Sequence, residues 1–434
     1  MSRIETDFVR DGGQLISAGI FNDPDVYRQE IERLFPSCWL FVAHESEIPS
    51  HGDFVTRQMG DDPVIVSRDT SGHVHVLLNV CRHHGRKVCE EDAGRVARFR
   101  CGYHGWTYDS AGKLVAVPFE QAYGDHLDRA SNALCEATVD THRGFIFARW
   151  NPGESLAEYL GPMAWVLDLV FGRTDAVEVV GPPIRWLADS NWKLGAANFA
   201  GDGYHIFTTH GFSTQMGLHK LNLAEGPRPV SRALSLQNGH GAALVSLPTP
   251  DAASRFLGLP EQLWPQIKRN LDALQQELLD SMVLAAGTVF PNLSFLETAG
   301  HTPEEWGGPD RPMSFLSLRQ WQPRGPDRME ALSWLFMDRD APDEWKKTSR
   351  TCYERVFGVS GTFEQDDVEN WAQITRGLRG PWAKRQWLQM KLGLDATPSP
   401  DWKGPGDCYM SGFTEESVRG FYRQWLKLVA HDDD

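Results

Sequence analysis

Between Trp39 and Trp150 apolar and polar residues alternate in short runs, the period of half-buried strands. The runs Asp53–Met59, Val64–Arg68, Val74–Val80, Arg98–Arg100 and Gly144–Trp150 are separated by turn signals at Gly60-Asp61-Asp62-Pro63, Ser71-Gly72 and Ala111-Gly112. This predicts a small all-β domain. Ahead of it, Pro24–Phe35 reads as a short helix, with Asp23 as its cap and Pro24 at its first position. Asn151–Glu154, which contains Pro152 and Gly153, marks a boundary. Beyond it Leu263, Ile267, Leu271, Leu274 and Leu278 recur at helical spacing, so 261–285 reads as one amphipathic helix. Met313–Gln322 and Arg328–Asp338 read as strands joined across Pro323–Asp327, and Thr414–Val429 as a closing helix. The pattern predicts an α+β fold with an antiparallel sheet in its larger part. It divides the chain into an N-terminal helical segment (1–38), a β domain (39–155) and a larger domain (156–434).

A chain of 434 residues is too long for one ordinary core, which agrees with that division. The net charge of −15 argues against nonspecific nucleic-acid binding and against a polybasic membrane contact. No apolar run approaches a membrane span, and Met1–Arg10 has no signal-like apolar stretch, so a cytoplasmic setting is expected. Seven widely spaced cysteines point to metal binding or buried thiols rather than to a disulfide framework. No G-x-G-x-x-G sits in a strand–helix unit, so neither NADH nor flavin is expected to bind this chain itself.

Residues 81–84 read Cys-Arg-His-His and residues 101–104 read Cys-Gly-Tyr-His. Zinc fingers usually group their cysteines and histidines in separate pairs. Here each segment offers one thiolate and one imidazole, which suits a binuclear cluster with both cysteines on one iron and both histidines on the other. Neutral imidazoles make such a cluster less negative and raise its potential. Gly85, Gly102 and Gly105 let the backbone turn tightly beside the ligands. Further on, Asp202, His205 and His210 fall in one 191–210 window. Asp202 and His205 share a helical face. His205 and His210 lie roughly 140° apart on a regular helix, so they could share a metal only if the helix is distorted or ends between them. Two imidazoles and one carboxylate would hold Fe(II) on one face and leave positions open. Spacing alone leaves the carboxylate open between Asp202 and the acidic run Phe363-Glu364-Gln365-Asp366-Asp367.

Cys81 to His104, followed by Gly105-Trp106-Thr107-Tyr108, resembles the Rieske domain of the ring-hydroxylating oxygenases. Asn191-Trp192-Lys193, Asn198-Phe199, Asp202-x-x-His205-x₄-His210 and Glu364-Gln365-Asp366-Asp367 with Glu369-Asn370-Trp371 resemble the iron-binding segments of the same proteins. The tail Phe421-Tyr422-Arg423-Gln424-Trp425 adds weaker likeness, and the resemblance spans about Asp25 to Leu428. It implies the large α subunit of a Rieske non-heme iron aromatic-ring-hydroxylating dioxygenase, with a helix-grip, START-like catalytic domain. It further implies a Rieske [2Fe–2S] cluster on Cys81, His83, Cys101 and His104, and a mononuclear Fe(II) on His205, His210 and Asp367. Asp202 and Asn198 become catalytic candidates, Asp202 as the bridge from an iron-ligand histidine to a Rieske histidine of a neighbouring subunit. The family generally has Arg where this chain has His84, and many relatives have Glu where it has Ala197. Cys89 has no counterpart in the second loop, so the disulfide of some electron-carrier Rieske proteins is not expected.

Phe199, Phe207, Phe357 and Phe363 flank the ligand segments and, with Trp321, are candidates for an apolar pocket or for plain core. His240, in Gly239-His240-Gly241, is a further pocket candidate. The resemblance implies O₂ and a small aromatic hydrocarbon or substituted aromatic acid as substrates. It implies a small β subunit in an assembly of three α and three β chains, and electrons from NADH through a ferredoxin and/or flavin reductase. A Rieske monooxygenase or demethylase makes the same ligand demands. An electron carrier would leave His205, His210 and Asp367 idle, and a zinc-stabilised binding protein would be colourless.

Overall fold

The computed structural model describes residues 7–212, 229–248, 255–302 and 311–430. The chain divides into two compact units, one of Ile31–Leu156 and one of Met1–Glu30 with Ala157–Asp434.

The smaller unit is β-rich, as its alternating pattern predicts. Among the described residues it holds three antiparallel sheets. One orders Val74–Leu78, Asp62–Arg68, Asp53–Met59 and Ala93–Arg95; a second orders Leu114–Ala116, Thr107–Asp109 and Arg98–Arg100; a third orders Thr138–His142, Phe145–Arg149 and Leu40–His44. Phe54, Ile65, Leu77, Phe99, Trp106, Tyr108 and Leu114 form a core that also takes in Cys81 and Cys101. The two cysteines are thus anchored in packed apolar surroundings while the chain on either side of them reaches outward.

The larger unit is built on an antiparallel nine-stranded sheet. Its order is Val177–Val179, Met329–Asp338, Arg311–Pro323, Leu293–Thr302, Met282–Val289, Gly241–Ser246, Val230–Ser235 and Asp407–Tyr409, with Ile184–Ala188 also on Met329–Asp338. The hairpin Arg311–Pro323/Met329–Asp338 is the one its alternation predicts. The helix Trp192–Gly201 lies across the central strands and the closing helix Glu416–Val429 packs on it. Asn191 caps the first of these by accepting from the Lys193 amide (3.0 Å). Lys193 is fully buried. Its ammonium meets Glu30 at 2.5 Å, and the indoles of Trp192 and Trp425 donate to the same carboxylate at 2.9 and 2.8 Å. Charge and donors are therefore matched at the root of the helix that leads to the site. Removing Glu30 alone would leave an uncompensated buried ammonium, a loss of about 3–5 kcal/mol.

Two expectations shift. The Pro24 helix is capped by Asp23 as predicted, but it runs Pro24–Gln29, passes through a π turn at Glu30–Leu34 and ends at Phe35–Ser37. The single helix expected over 261–285 is two helices, Trp264–Asn270 and Ala273–Ser281, after a short 3₁₀ turn, and the chain is already a strand at Met282. Asp272 causes the break: its side chain accepts from Gln275 N while the Gln275 side chain bonds back to the Asp272 amide, a capping box that starts a new helix. The leucine period survives the break, which is why periodicity alone missed it.

Candidate metal centres

In the smaller unit the two Cys/His segments form matching loops. The amide of Cys81 donates to Arg86 O (2.8 Å) and that of Gly85 to Cys81 O (2.9 Å). Likewise Cys101 donates to Trp106 O (2.8 Å) and Gly105 to Cys101 O (3.0 Å). Gly85 and Gly105 close the loops at φ +76° and +75°, where a side chain would be strained. The loops bring the rings of His83 and His104 to 4.5 Å between centroids. Tyr108 supports this floor, with its hydroxyl 3.5 Å from Cys81 Sγ and accepting from the Arg82 amide (3.1 Å).

His84 lies in the same cluster, 4.1 Å from His83 and 5.1 Å from His104, but its surroundings differ. His83 is half-buried and stacks on Trp106 at 4.9 Å, 6° from parallel, whereas His84 is exposed. The Nδ1 of His83 is buried with no hydrogen-bond partner among the described residues. Burial, then the neighbouring His84 and His104, hold its pKa below the ordinary imidazole value, which keeps a lone pair available.

In the larger unit the Trp192–Gly201 helix ends just before the second cluster. Asp202 is its C-cap with φ −80° and ψ 79°, and His205 and His210 flank a single helical turn, Ile206–Thr209. This interruption is what the five-residue spacing required. The two rings come to 5.2 Å between centroids. Asp367 arrives on a separate helix, Thr362–Gly377. Its Oδ1 lies 3.6 Å from His205 Nε2 and 3.2 Å from His210 Nε2. One donor atom from each of the three residues falls within 4.8 Å of the others.

Asp202, the nearer carboxylate that spacing left open, sits on the opposite edge of His205. The Nδ1–H of His205 donates to the Asp202 carbonyl oxygen (2.6 Å), and the Asp202 carboxylate lies 3.5 Å from the same nitrogen. That bond fixes the tautomer and leaves the Nε2 lone pair facing Asp367. Burial opposes the charged form of His205, but the bond to Asp202 and the charge of Asp367 outweigh it and raise its pKa. Asn198 lies 3.4 Å from that ring nitrogen.

The aromatic candidates are partly gathered. Phe363 stands 4.6 Å from His210 and stacks with Phe357 at 5.4 Å. Phe199 contacts Trp321 at 5.6 Å. Trp321 is a core residue as well: it is fully buried, bonded to Ser294 Oγ (2.8 Å) and packed on Trp371. The side chain of Phe207 lies outside the described residues. His240 is not a pocket residue. It is buried, accepts at Nδ1 from the Phe290 amide (2.9 Å) and donates from Nε2 to Tyr159 O (2.8 Å), so it is neutral and structural. Sequence reasoning gave Tyr108 no role beyond its place in the motif and did not single out Arg319; the signal for the second was its being the one charged residue in the predicted strand Met313–Gln322.

Residues 38–133 match the Rieske [2Fe-2S] domain model, and residues 164–431 match the ring hydroxylating alpha subunit catalytic domain. The chain belongs to the ring-hydroxylating dioxygenase alpha subunits. Family members include the benzene 1,2-dioxygenase alpha subunit of Pseudomonas putida, 34% identical over 443 residues, covering 100% of this chain and 94% of that protein. The N,N-dimethyl phenylurea N-demethylase alpha subunit of Sphingobium sp. (strain YBL2) is 36% identical over 433 residues, covering 96% and 92%. The crystal structure of naphthalene 1,2-dioxygenase from Rhodococcus sp. bound to indole superposes with TM-score 0.94 at 38% identity, over 100% of both chains.

This dioxygenase alpha subunit is an oxidoreductase that carries a Rieske [2Fe–2S] cluster and a mononuclear iron. The residues present fit both groups. In the smaller unit the paired loops supply two buried thiols and an imidazole nitrogen that is buried with no hydrogen-bond partner among the described residues, and in the larger two imidazoles and a carboxylate form a three-donor face. Among the described residues no helix is long and apolar enough to cross a membrane, and no two cysteines are joined in a disulfide.

Proposed function

We propose that this alpha subunit catalyses insertion of both atoms of O₂ into an aromatic ring to give a cis-dihydrodiol. Cys81, His83, Cys101 and His104 would hold the cluster, and His205, His210 and Asp367 the mononuclear iron. His83 is preferred to His84 because its ring is packed and its Nδ1 has no hydrogen-bond partner among the described residues. The observation that carries the reading is the meeting of His205, His210 and Asp367 on one carboxylate oxygen beside Phe363 and Phe357. When bound, the two groups supply single electrons and open coordination positions for O₂.

The chain's own residues prepare the setting. Asp202 holds the His205 proton at Nδ1, so that Nε2 stays free. The aromatic side chains keep water from the reacting ring. Asp202, whose side chain is 36% exposed, would also hydrogen-bond outward to a Rieske histidine of a neighbouring alpha subunit. The substrate would be an aromatic hydrocarbon or substituted aromatic acid. Electrons would come from NADH through a separate ferredoxin and/or flavin reductase, in a cytoplasmic assembly with a small β subunit.

A second reading, N-demethylation of an aryl compound, is favoured by the likeness to the phenylurea demethylase subunit. Incubation with NADH, reductase, ferredoxin and ¹⁸O₂ separates the two. A diol carrying two labelled oxygens from naphthalene or biphenyl supports dihydroxylation. Formaldehyde from an N-methyl arylurea, with no diol from any arene, would replace it with the second reading.

A further inference from the structure

Arg319 is fully buried in the strand Arg311–Pro323. A guanidinium in that position needs its donors matched, and the matching is specific. Its Nε donates to Glu364 Oε2 (2.9 Å), Nη1 to Ser317 Oγ (2.8 Å) and Nη2 to the Phe357 carbonyl oxygen (3.1 Å); Nη2 also lies 2.8 Å from Glu364. The rings of Phe357 and Phe199 lie 5.0 and 5.5 Å from its central carbon. These partners belong to different parts of the site. Phe357 ends the helix Asp343–Val356, and Glu364 stands in the first turn of the Thr362–Gly377 helix. Glu364 is three residues ahead of Asp367 and therefore on the same helical face.

We propose that Arg319 is a positioning residue for the mononuclear iron. Its planar fork ties the sheet to the carboxylate-bearing helix and to the Phe357 backbone at once. It thereby sets where Asp367 Oδ1 meets the imidazoles and where the Phe357 ring stands. Lysine has the charge but not the fork, so it cannot hold three acceptors in that plane. A pair that served stability alone would be replaceable by apolar side chains of similar volume; a positioning pair would not. The proposal rests on the reading of His205, His210 and Asp367 as iron ligands.

The test is titration of the iron-depleted mononuclear site with ferrous ion, in anaerobic protein that keeps its cluster, followed by the EPR signal of the nitric oxide adduct. Wild type is compared with Arg319→Lys, with the double variant Arg319→Met/Glu364→Met, and with Asp367→Asn. Asp367→Asn is expected to lose the mononuclear iron. Arg319→Lys is expected to melt as a folded protein with its cluster intact and to bind ferrous ion roughly 10–100-fold more weakly, with a changed nitrosyl signal. The double variant is expected to recover thermal stability without recovering iron affinity. If Asp367→Asn binds iron as wild type does, the ligand reading is wrong. If Asp367→Asn loses the iron while Arg319→Lys keeps wild-type affinity and signal, the positioning role is overturned. Should Arg319→Lys fail to fold, the double variant, which leaves no charge buried alone, decides by the same criterion.

Discussion

Cys81 and Cys101 turn into the core of the smaller unit, while His104 and Tyr103 beside them are exposed. In the larger unit the side chains of His210 and Asp367 are each only 5% exposed, and aromatic rings stand next to them. The first region is held by backbone bonds within two short loops. The second draws its ligands from the two ends of one helical turn and from a separate helix far away in sequence. A rigid cluster with outward imidazoles suits exchange of electrons, which needs proximity but little rearrangement. A closed site suits chemistry that must keep water from the substrate. The contrast teaches that the two candidate centres are built on different kinds of scaffold, which under the proposed function would separate electron entry from ring oxidation.

Removing one ligand at a time breaks the comparison most severely. Asp367→Ala should abolish turnover and lose the mononuclear iron while cluster iron and sulfide stay. Cys101→Ser should do the reverse, losing sulfide and the reduced-cluster signal but keeping ferrous ion at the other site. Metal and sulfide analysis of both variants checks this, and loss of both groups in either one would mean that the regions are not independent.

Two histidines, one in each unit, should also make opposite contributions to the pH dependence of stability. Burial holds the pKa of His240, in the larger unit, at about 4, and its bond to Tyr159 only partly offsets this. The unfolded chain takes up that proton near pH 6.5 and the native state does not, so stability present above pH 6.5 is lost as pH falls toward 4. The loss amounts to about 3 kcal/mol in full. His75, in the smaller unit, sits between Glu136 (2.6 Å) and Asp69 (3.1 Å). Burial opposes its charge, but these carboxylates outweigh it and raise its pKa. Its contribution is therefore present below pH 6.5 and lost as pH rises through the raised value. Hydrogen exchange at pH 5 and 8 checks each contribution by difference from wild type: His240→Gln should remove part of the larger unit's loss of protection at pH 5, and His75→Gln part of the smaller unit's loss at pH 8.

Asp202→Asn should leave both groups bound and slow turnover by roughly 10–100-fold. Single-turnover oxidation of the reduced cluster reads this directly, and wild-type rates would remove Asp202 from the electron path. The smallest effect is expected at Cys89, a half-buried free thiol in the smaller unit. Cys89→Ser should change stability by no more than about 0.5 kcal/mol and leave the cluster signal unchanged, as a urea melt would show.

Legibility in the sequence follows the same division. The cluster loops are local, so residue types and spacing between Cys81 and His104 were enough to suggest their chemistry. His205 and His210 were also visible, together with the need for a broken helix between them. Their carboxylate was not legible from spacing, because Asp202 and Asp367 both satisfy composition; the resemblance named Asp367, and the fold puts it on the Nε2 side of His205. Strands were legible where alternation was clean, as in the Arg311–Pro323 hairpin. The break at Asp272 was hidden because a side-chain cap leaves the leucine period intact. His240 looked like a pocket residue because a glycine-flanked histidine carries no sign of burial in sequence.

The central claim, that this chain carries a Rieske cluster and a separate mononuclear iron, is tested most directly by EPR of anaerobically purified protein before and after dithionite, with iron and acid-labile sulfide counted on the same sample. A Rieske-type signal appearing on reduction, with iron in excess of sulfide, is the expected result. Protein kept free of oxygen that shows neither the signal nor acid-labile sulfide would contradict it.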